Sequence, residues 1–278
     1  MVIEPAWADL LKSVHMDSIP GVVTSPLGEI ISQDRKMEKN DVKRLEVEWS
    51  GRKYVFYVKR YYNYLFEKIW KRAFRGSWWP PSMVKSEFVN LKRLEKWGIN
   101  IPEPVAYGEH RFGGGLINAF IISLEIPQAM GLDYLVNNWL PDQPPHTQKS
   151  VRAELIDSLA EVTRRMHDHG FEHHDYFLRN IMVSDFDFSK LFILDAPRGR
   201  AWPRWLGRLR APHDLATLDA AAPKIFRRTE RLRFFLKYRG HHRLTSSDKA
   251  MIRRIMKLAL PWRDRQIRRL HRSLHVEA

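Results

Sequence analysis

Asp175 stands five residues before Asn180 within G-F-E-H-H-D-Y-F-L-R-N-I-M-V, the run from Gly170 to Val183. A carboxylate and a carboxamide at this spacing suit phosphoryl transfer. The first can orient an acceptor hydroxyl and take its proton, while the second helps hold Mg²⁺ beside nucleotide phosphates. The pairing is weak by itself, since Asp and Asn populate loops everywhere by bonding their own backbone. Such chemistry also needs a cation for the phosphates, a carboxylate that places the cation, and a further carboxylate for the metal. Lys59, Glu87 and Asp195 are the residues that could supply them.

The elements that must carry these residues are readable from periodicity. Leu45, Val47 and Trp49 alternate with Glu46 and Glu48, Ser50-Gly51 offers a turn, and Lys53 to Val58 follows, which predicts a β-hairpin with Lys59 at its end. An edge-strand lysine that only deters aggregation would have the same pattern. Pro80-Pro81-Ser82 ends an aromatic and basic stretch and offers a cap to a helix from Met83, with Met83, Leu91 and Leu94 at helical spacing. Glu87 lies in that apolar stripe. A carboxylate on the core-facing side of a helix is costly unless paired, and Lys59 on the preceding strand is the candidate partner. Trp97-Gly98 ends the helix, Leu116 to Leu124 reads as a buried strand, and Glu125-Ile126-Pro127 leaves it as a hinge. Gly113-Gly114-Gly115 reads as a hairpin turn rather than a phosphate cradle, because neither a lysine-serine pair nor a helix start follows it.

Ser150 offers a cap to the next helix, whose buried face is marked by Val151, Leu155, Leu159, Val162 and Met166. That helix ends at Gly170 and feeds the Asp175 loop. His167, Gly170, His173, Asp175 and Asn180 follow in the order of the protein-kinase run L-H-x-x-G-x-x-H-x-D-x-x-x-x-N, with Met166 in place of the leucine. Ile181 to Val183 and Leu191 to Leu194 read as strands joined by a polar turn, and the second ends at Asp195. The expected fold class is α+β. The resemblance to the protein-kinase run implies a two-lobed, protein-kinase-like fold with an N-terminal antiparallel β-sheet lobe carrying one helix (residues 1–124, nucleotide binding) and a mainly helical C-terminal lobe (residues 125–278, catalytic and acceptor binding).

With 278 residues and 44% hydrophobic content the chain can bury a real core, and a net charge of +15 favours anionic partners such as nucleotides, nucleic acid or phospholipid headgroups. Cysteine is absent, which excludes disulfides, thiolate metal ligands and a cysteine nucleophile and makes the cytosol the expected compartment. The start, M-V-I-E-P-A-W-A-D-L-L, has no basic end followed by an apolar run, so no signal peptide is expected. The apolar run around Ala119 to Leu124 is far short of the ~20 residues of a transmembrane helix. His167, His169, His173 and His174 invite a zinc reading, but the adjacent His173 and His174 would point apart in an extended segment.

At this level the chain resembles the lipopolysaccharide core kinases, which phosphorylate heptose or Kdo sugars and are protein-kinase-like in fold. The marks are Y-V-K-R-Y (Tyr57 to Tyr61), the E-x-x-x-L helix (Glu87 to Leu91) before G-I-x-x-P-x-P (Gly98 to Pro104), D-L-A-T-L-D (Asp214 to Asp219) and R-L-R-F-F-L-K-Y (Arg231 to Tyr238). The resemblance implies that Lys59 holds the nucleotide phosphates, Glu87 orients Lys59, Asp175 is the catalytic base, and Asn180 with Asp195 binds Mg²⁺. It implies that His173 braces the catalytic loop from within and that Asp214 does so from a helix. ATP and Mg²⁺ are the implied cofactors and a lipopolysaccharide core sugar the implied acceptor. The implied location is cytoplasmic and peripheral to the inner membrane, with contact to anionic lipid and no nucleic-acid partner.

Some features depart from the kinase pattern. No G-x-G-x-x-G precedes Lys59, so the phosphate-covering loop is expected within Ser32 to Asn40, where Arg35, Lys36 and Lys39 supply charge. Asp195 is followed by Ala196-Pro197 instead of Phe-Gly, and His174 replaces the arginine beside the catalytic aspartate, so activation by loop phosphorylation is not expected. Ser247 offers a cap to a helix that Pro261 would stop after Leu260. A last segment, with Ile267, Leu270 and Leu274 beside Arg263, Arg265, Arg268, Arg269 and Arg272, suits either an anionic membrane or packing on its own domain. The alternatives to a sugar kinase are a protein kinase and a non-catalytic basic binder of RNA or membranes.

Overall fold

Period-two alternation builds the first half of the chain. The computed structural model describes residues 1–33, 40–62, 82–112 and 115–274, and these divide into two units, Met1–Arg93 with Pro102–Ile126 and Leu94–Ile101 with Pro127–Ala278.

In the first unit β1 (Val2–Ile3), helices α1 (Ala8–Ser13) and α2 (Ile19–Thr24), β2 (Glu29–Gln33), β3 (Asn40–Trp49) and β4 (Arg52–Tyr61) precede α3 (Met83–Lys96), β5 (Pro104–Phe112) and β6 (Gly115–Leu124). The strands form one antiparallel sheet in the order β1-β5-β6-β4-β3-β2. The β3–β4 hairpin is as expected, and its Ser50-Gly51 turn takes positive φ at both residues, the conformation that matches strand twist in a two-residue turn. Leu45, Val47, Phe56, Val58 and Ile122 bury one face of the sheet with Leu10, Leu11 and Val22 of α1 and α2. Because side chains alternate across a strand, Arg60 falls on that face and Lys59 on the other. Ser82 caps α3 as expected, its Oγ accepting from the Lys85 amide at 3.1 Å. Val84, Phe88, Leu91 and Leu94 of α3 are buried, each worth about 1.5–3 kcal/mol, and Phe88 packs on Tyr107.

Helical periodicity dominates the second unit. It holds β7 (Ala129–Gly131), α4 (Pro145–Asp168), β8 (Phe171–Glu172), β9 (Ile181–Ser184), β10 (Asp187–Ile193), β11 (Arg200–Ala201), α5 (Arg204–Asp219), α6 (Arg228–Arg239) and α7 (Ser246–Leu274). A three-stranded sheet runs β10-β9-β7, and β11 pairs with β8. Ala160 of α4, Leu215 and Ala216 of α5, Phe235 of α6 and Ile255 and Ala259 of α7 share one core.

Two expected boundaries move. Helix α4 begins at Pro145 rather than after Ser150, since proline at the first helical position loses no hydrogen bond and its φ is already helical. Helix α7 does not stop at Leu260 but continues through Pro261 to Leu274. Its next residues are held in place by tertiary contacts, Trp262 against Phe177 and Arg263 on Asp219, and these offset the bond that proline removes. Its start is capped by Thr245 and Asp248 reciprocally, at 3.2 and 3.0 Å, instead of by Ser247. Most of the Ser32 to Asn40 stretch, most of Arg60 to Ser82 and the Gly113-Gly114 turn lie outside the described residues, as do the side chains of the arginines from Arg265 onward. No described helix is long and apolar enough to cross a membrane.

Candidate active site

Two neighbouring residues of β4 each hold an ion pair, one on either face of the sheet. Lys59 Nζ lies 3.1 Å from Glu87 Oε1 of α3, the pairing expected from a carboxylate placed on an apolar helix face. The lysine side chain keeps 29% of its exposure and the glutamate 6%. On the opposite face Arg60 meets Asp41 of β3 through two parallel bonds, Nε to Oδ1 at 2.8 Å and Nη2 to Oδ2 at 2.7 Å. Its Nη1 also donates to the Val23 carbonyl at 3.0 Å. This second pair is buried on both sides and closes the core against α2.

In the second unit the Asp175 loop is fixed by bonds to its backbone. The Asp175 carbonyl accepts from the Phe177 amide at 2.9 Å and from Asn180 Nδ2 at 2.8 Å, so the five-residue spacing corresponds to a bond across the loop. With its amide nitrogen so engaged, Asn180 has Oδ1 as its acceptor atom. Leu194 donates its amide to the Asn180 carbonyl at 2.9 Å, which joins the loop to the end of β10 immediately before Asp195. Asp195 itself takes φ 53°, a left-handed conformation costly for a residue with a side chain. The side chains of Asn180 and Asp195 each carry oxygen of the hard kind that Mg²⁺ takes.

Asp214 of α5 organises the approach to this loop. Its two carboxylate oxygens accept the backbone amides of His173 at 2.7 Å and His174 at 2.8 Å, and Oδ2 also takes Nε2 of His167 at 3.2 Å. Burial pushes this carboxyl upward, but the His167 bond and the adjoining His173 outweigh it and leave Asp214 below its ordinary pKa. His174 is held at φ 70°, a turn that the paired amide bonds support. His173 is fully buried, and that burial lowers its pKa, so at neutral pH the ring is uncharged and Nε2–H donates to the Leu194 carbonyl at 2.9 Å. A buried histidine thus ties the segment before Asp175 to the segment before Asp195.

The remaining histidines serve different ends. His167 Nδ1 pairs with the Tyr238 hydroxyl of α6 at 2.9 Å, and the His169 ring stacks parallel on Trp97 with centroids 4.8 Å apart. Among the described residues no group of three or more histidines and acids could hold a metal ion, so the zinc reading has no site there. Sequence reasoning missed three contributors. Arg198 Nη1 reaches Asp175 Oδ2 at 3.5 Å from a side chain that is 66% exposed. Asp41 and Tyr238 are the others, and all three pair with residues far away in sequence, where no local pattern announces them.

A model of the Lipopolysaccharide kinase (Kdo/WaaP) family matches residues 32–238. The chain belongs to this family. The lipopolysaccharide core heptose(I) kinase WaaP of Pseudomonas aeruginosa is 26% identical over 215 residues, 73% of this chain and 75% of that protein. A 3-deoxy-D-manno-octulosonic acid kinase of Vibrio cholerae is 26% identical over 135 residues, 46% of this chain and 53% of its own. A solved structure of WaaP in complex with acyl carrier protein superposes with a TM-score of 0.63 at 22% identity, covering 97% of this chain and 98% of that one. An aminoglycoside-3'-phosphotransferase of type VIII gives 0.51 at 14% identity over 92% of this chain and 100% of its own. The fold is therefore protein-kinase-like, as expected, and this lipopolysaccharide kinase family member is an ATP-dependent phosphotransferase.

Proposed function

We propose that the protein transfers the γ-phosphoryl group of ATP to a sugar hydroxyl of the lipopolysaccharide inner core, acting peripherally at the cytoplasmic face of the inner membrane. The observation that carries the catalytic part is the Asn180-to-Asp175 bond at 2.8 Å in a loop pinned by Asp214. In this reading Asp175 is the base that orients the acceptor hydroxyl and takes its proton, and His173 keeps the loop in register. Lys59, placed by Glu87, holds the nucleotide phosphates. Asn180 and Asp195 hold Mg²⁺, which when bound neutralises charge on the transferring group. Met1–Arg93 with Pro102–Ile126 serves as the nucleotide-binding lobe and the other unit as the catalytic and acceptor-binding lobe. The family membership and the WaaP and Kdo kinase relatives support the choice of acceptor.

The test uses purified protein, Mg²⁺, labelled ATP and dephosphorylated core lipopolysaccharide. Label is expected in the glycolipid, and Asp175→Asn is expected to reduce transfer by about 10²–10⁴-fold while leaving nucleotide binding intact. Equal transfer by the variant would remove Asp175 from the mechanism, and label moving to protein instead would make this a protein kinase.

A second element of the proposal is an acyl carrier protein as partner, because a structural neighbour was solved with one. It is supported by a cleft of about 560 Å³ in the helical unit, lined by Leu155, Leu159, Leu215, Phe235, Ile252 and Met256. An alkyl chain fits such a lining. Intact-mass analysis of the protein purified from its host is expected to find an acylated carrier protein in complex, and its consistent absence would dismiss this partner.

A further inference from the structure

The segment that follows Asp195 has a composition unlike the rest of the site. From Ala196 to Pro212 it contains five arginines, 198, 200, 204, 208 and 210, and no acidic residue. Its first helical turns leave large apolar groups in solvent. Trp205 is 68% exposed and Leu209 54%, and they lie four residues apart, on one side of α5. Arg204 and Arg208, one position before each, are exposed as well. The second half of the same helix is the opposite, with Ala211, Asp214, Leu215 and Leu218 buried.

The position of this patch gives it meaning. Trp202 donates its amide to the Gly170 carbonyl at 2.9 Å, and Gly207 packs so tightly on Gly170 that an added Cβ would fall 2.4 Å from the Gly170 Cα. Arg198, just upstream, reaches Asp175. The exposed start of α5 is therefore anchored on the segment that leads into Asp175.

We infer that the N-terminal half of α5 is the surface by which this protein rests on an anionic lipid bilayer, with Trp205 and Leu209 entering the headgroup boundary and Arg204 and Arg208 meeting lipid phosphates. An aromatic and a leucine set among arginines is the composition of a helix that lies in the interface. The charge is complementary to an anionic leaflet and is only partly met among the described residues: Arg208 shares Asp168, at 3.6 Å, with Arg164 at 3.9 Å. The inference rests on the reading of the chain as a glycolipid kinase, because an acceptor embedded in a membrane must be met at the membrane surface. It locates the contact at α5 rather than at the basic end of α7, where Arg263 is already bound to Asp219.

The 278-residue chain is tested by co-sedimentation with phosphatidylcholine vesicles with and without phosphatidylglycerol. Binding is expected to require the anionic lipid, to weaken with salt, and to fall at least about tenfold in Trp205→Ala/Leu209→Ala and in Arg204→Gln/Arg208→Gln. Thermal melting and Mg²⁺–ATP titration establish that these variants are folded. The absence of cysteine allows a sharper readout. An environment-sensitive dye on Leu209→Cys is expected to shift to the blue on anionic vesicles, and one on Glu154→Cys of α4 is not. Unchanged vesicle binding by both double variants, or loss of binding only when Arg265, Arg268, Arg269 and Arg272 are neutralised, would overturn the inference. Transfer to a water-soluble, deacylated core saccharide separates this from the kinase reading. Variants that lose only the vesicle-borne acceptor support docking through α5. A wild type that binds vesicles through α5 yet phosphorylates neither acceptor refutes the choice of substrate and leaves the docking surface in place.

Discussion

The two faces of β4 carry the same kind of interaction to opposite ends. On one face Arg60 and Asp41 meet through two parallel bonds with 6% and 7% of their side chains exposed. On the other, Lys59 reaches Glu87 through one nitrogen and keeps 29% of its side chain in solvent. A rigid fork that is fully enclosed holds a core in register but can meet nothing new. A point charge on a flexible stem, placed by a buried carboxylate and still accessible, can take a ligand phosphate. The same contrast separates the carboxylates of the second unit. Asp214 is fully buried and holds two backbone amides, whereas Asp175 retains a quarter of its side-chain exposure and faces Arg198 at 3.5 Å. Where polar groups are buried and satisfied they position; where one side is left accessible they are available for chemistry.

Exchanging the cations on β4 tests the contrast most directly. Lys59→Arg keeps a charge for Glu87 but replaces the point charge with a planar fork. It is expected to lower kcat/KM by about 10²–10³-fold while shifting the unfolding free energy by less than about 1 kcal/mol. The complementary exchange, Arg60→Lys, removes the parallel bonds to Asp41 from a buried pair. Denaturant unfolding is expected to show a loss of about 1.5–3 kcal/mol, with kcat/KM within a few-fold of wild type at temperatures where the variant is folded. If the two exchanges had each other's effects, the assignment of one face to structure and the other to function would be reversed.

Acid sharpens the second half of the comparison. The folded-state pKa values of His173 and Asp214 both lie below their ordinary values, so the unfolded chain binds more protons than the folded one as pH falls. The His173 contribution is complete above the ordinary histidine value of 6.5 and is lost as pH drops from there toward its depressed folded value. The Asp214 contribution follows below 3.8. Thermal melts across this range are expected to fall from pH 6.5 downward, and a melting temperature that stays flat until carboxylates titrate would contradict a buried neutral His173. The smallest stability effect is expected at Arg198. Arg198→Gln breaks a solvent-exposed pair and is expected to alter stability by less than about 0.5 kcal/mol, while changing kcat/KM for an anionic acceptor by up to about tenfold.

The parts of this arrangement that were legible in the sequence are those encoded by nearby residues. Alternation announced β3 and β4, and the apolar stripe of α3 made Glu87 conspicuous as a carboxylate in need of a cation. The Asp175-to-Asn180 spacing is local too, and the structure gives it a physical form in a bond across the loop. The rest depends on which distant segments meet. Asp41 lies in a stretch with little pattern of its own, and only the β3–β4 register sets it opposite Arg60. Arg198 and Tyr238 find their partners across 23 and 71 positions, respectively. Pro261 misled because a local rule about proline was outweighed by Trp262 and Arg263, whose contacts are tertiary.

Gly170 and Gly207 carry one more consequence. Gly170 sits at φ 78°, where an added Cβ would strike the Trp202 carbonyl at 2.3 Å, and Gly207 presses on the Gly170 backbone from α5. Neither atom in the way belongs to a flexible side chain that could swing aside. The two positions are thus bound in their descent. A lineage that gained a side chain at either one would have to displace α5, and with it Asp214, before the change could persist, so glycine at these two sites is expected to be inherited as a pair.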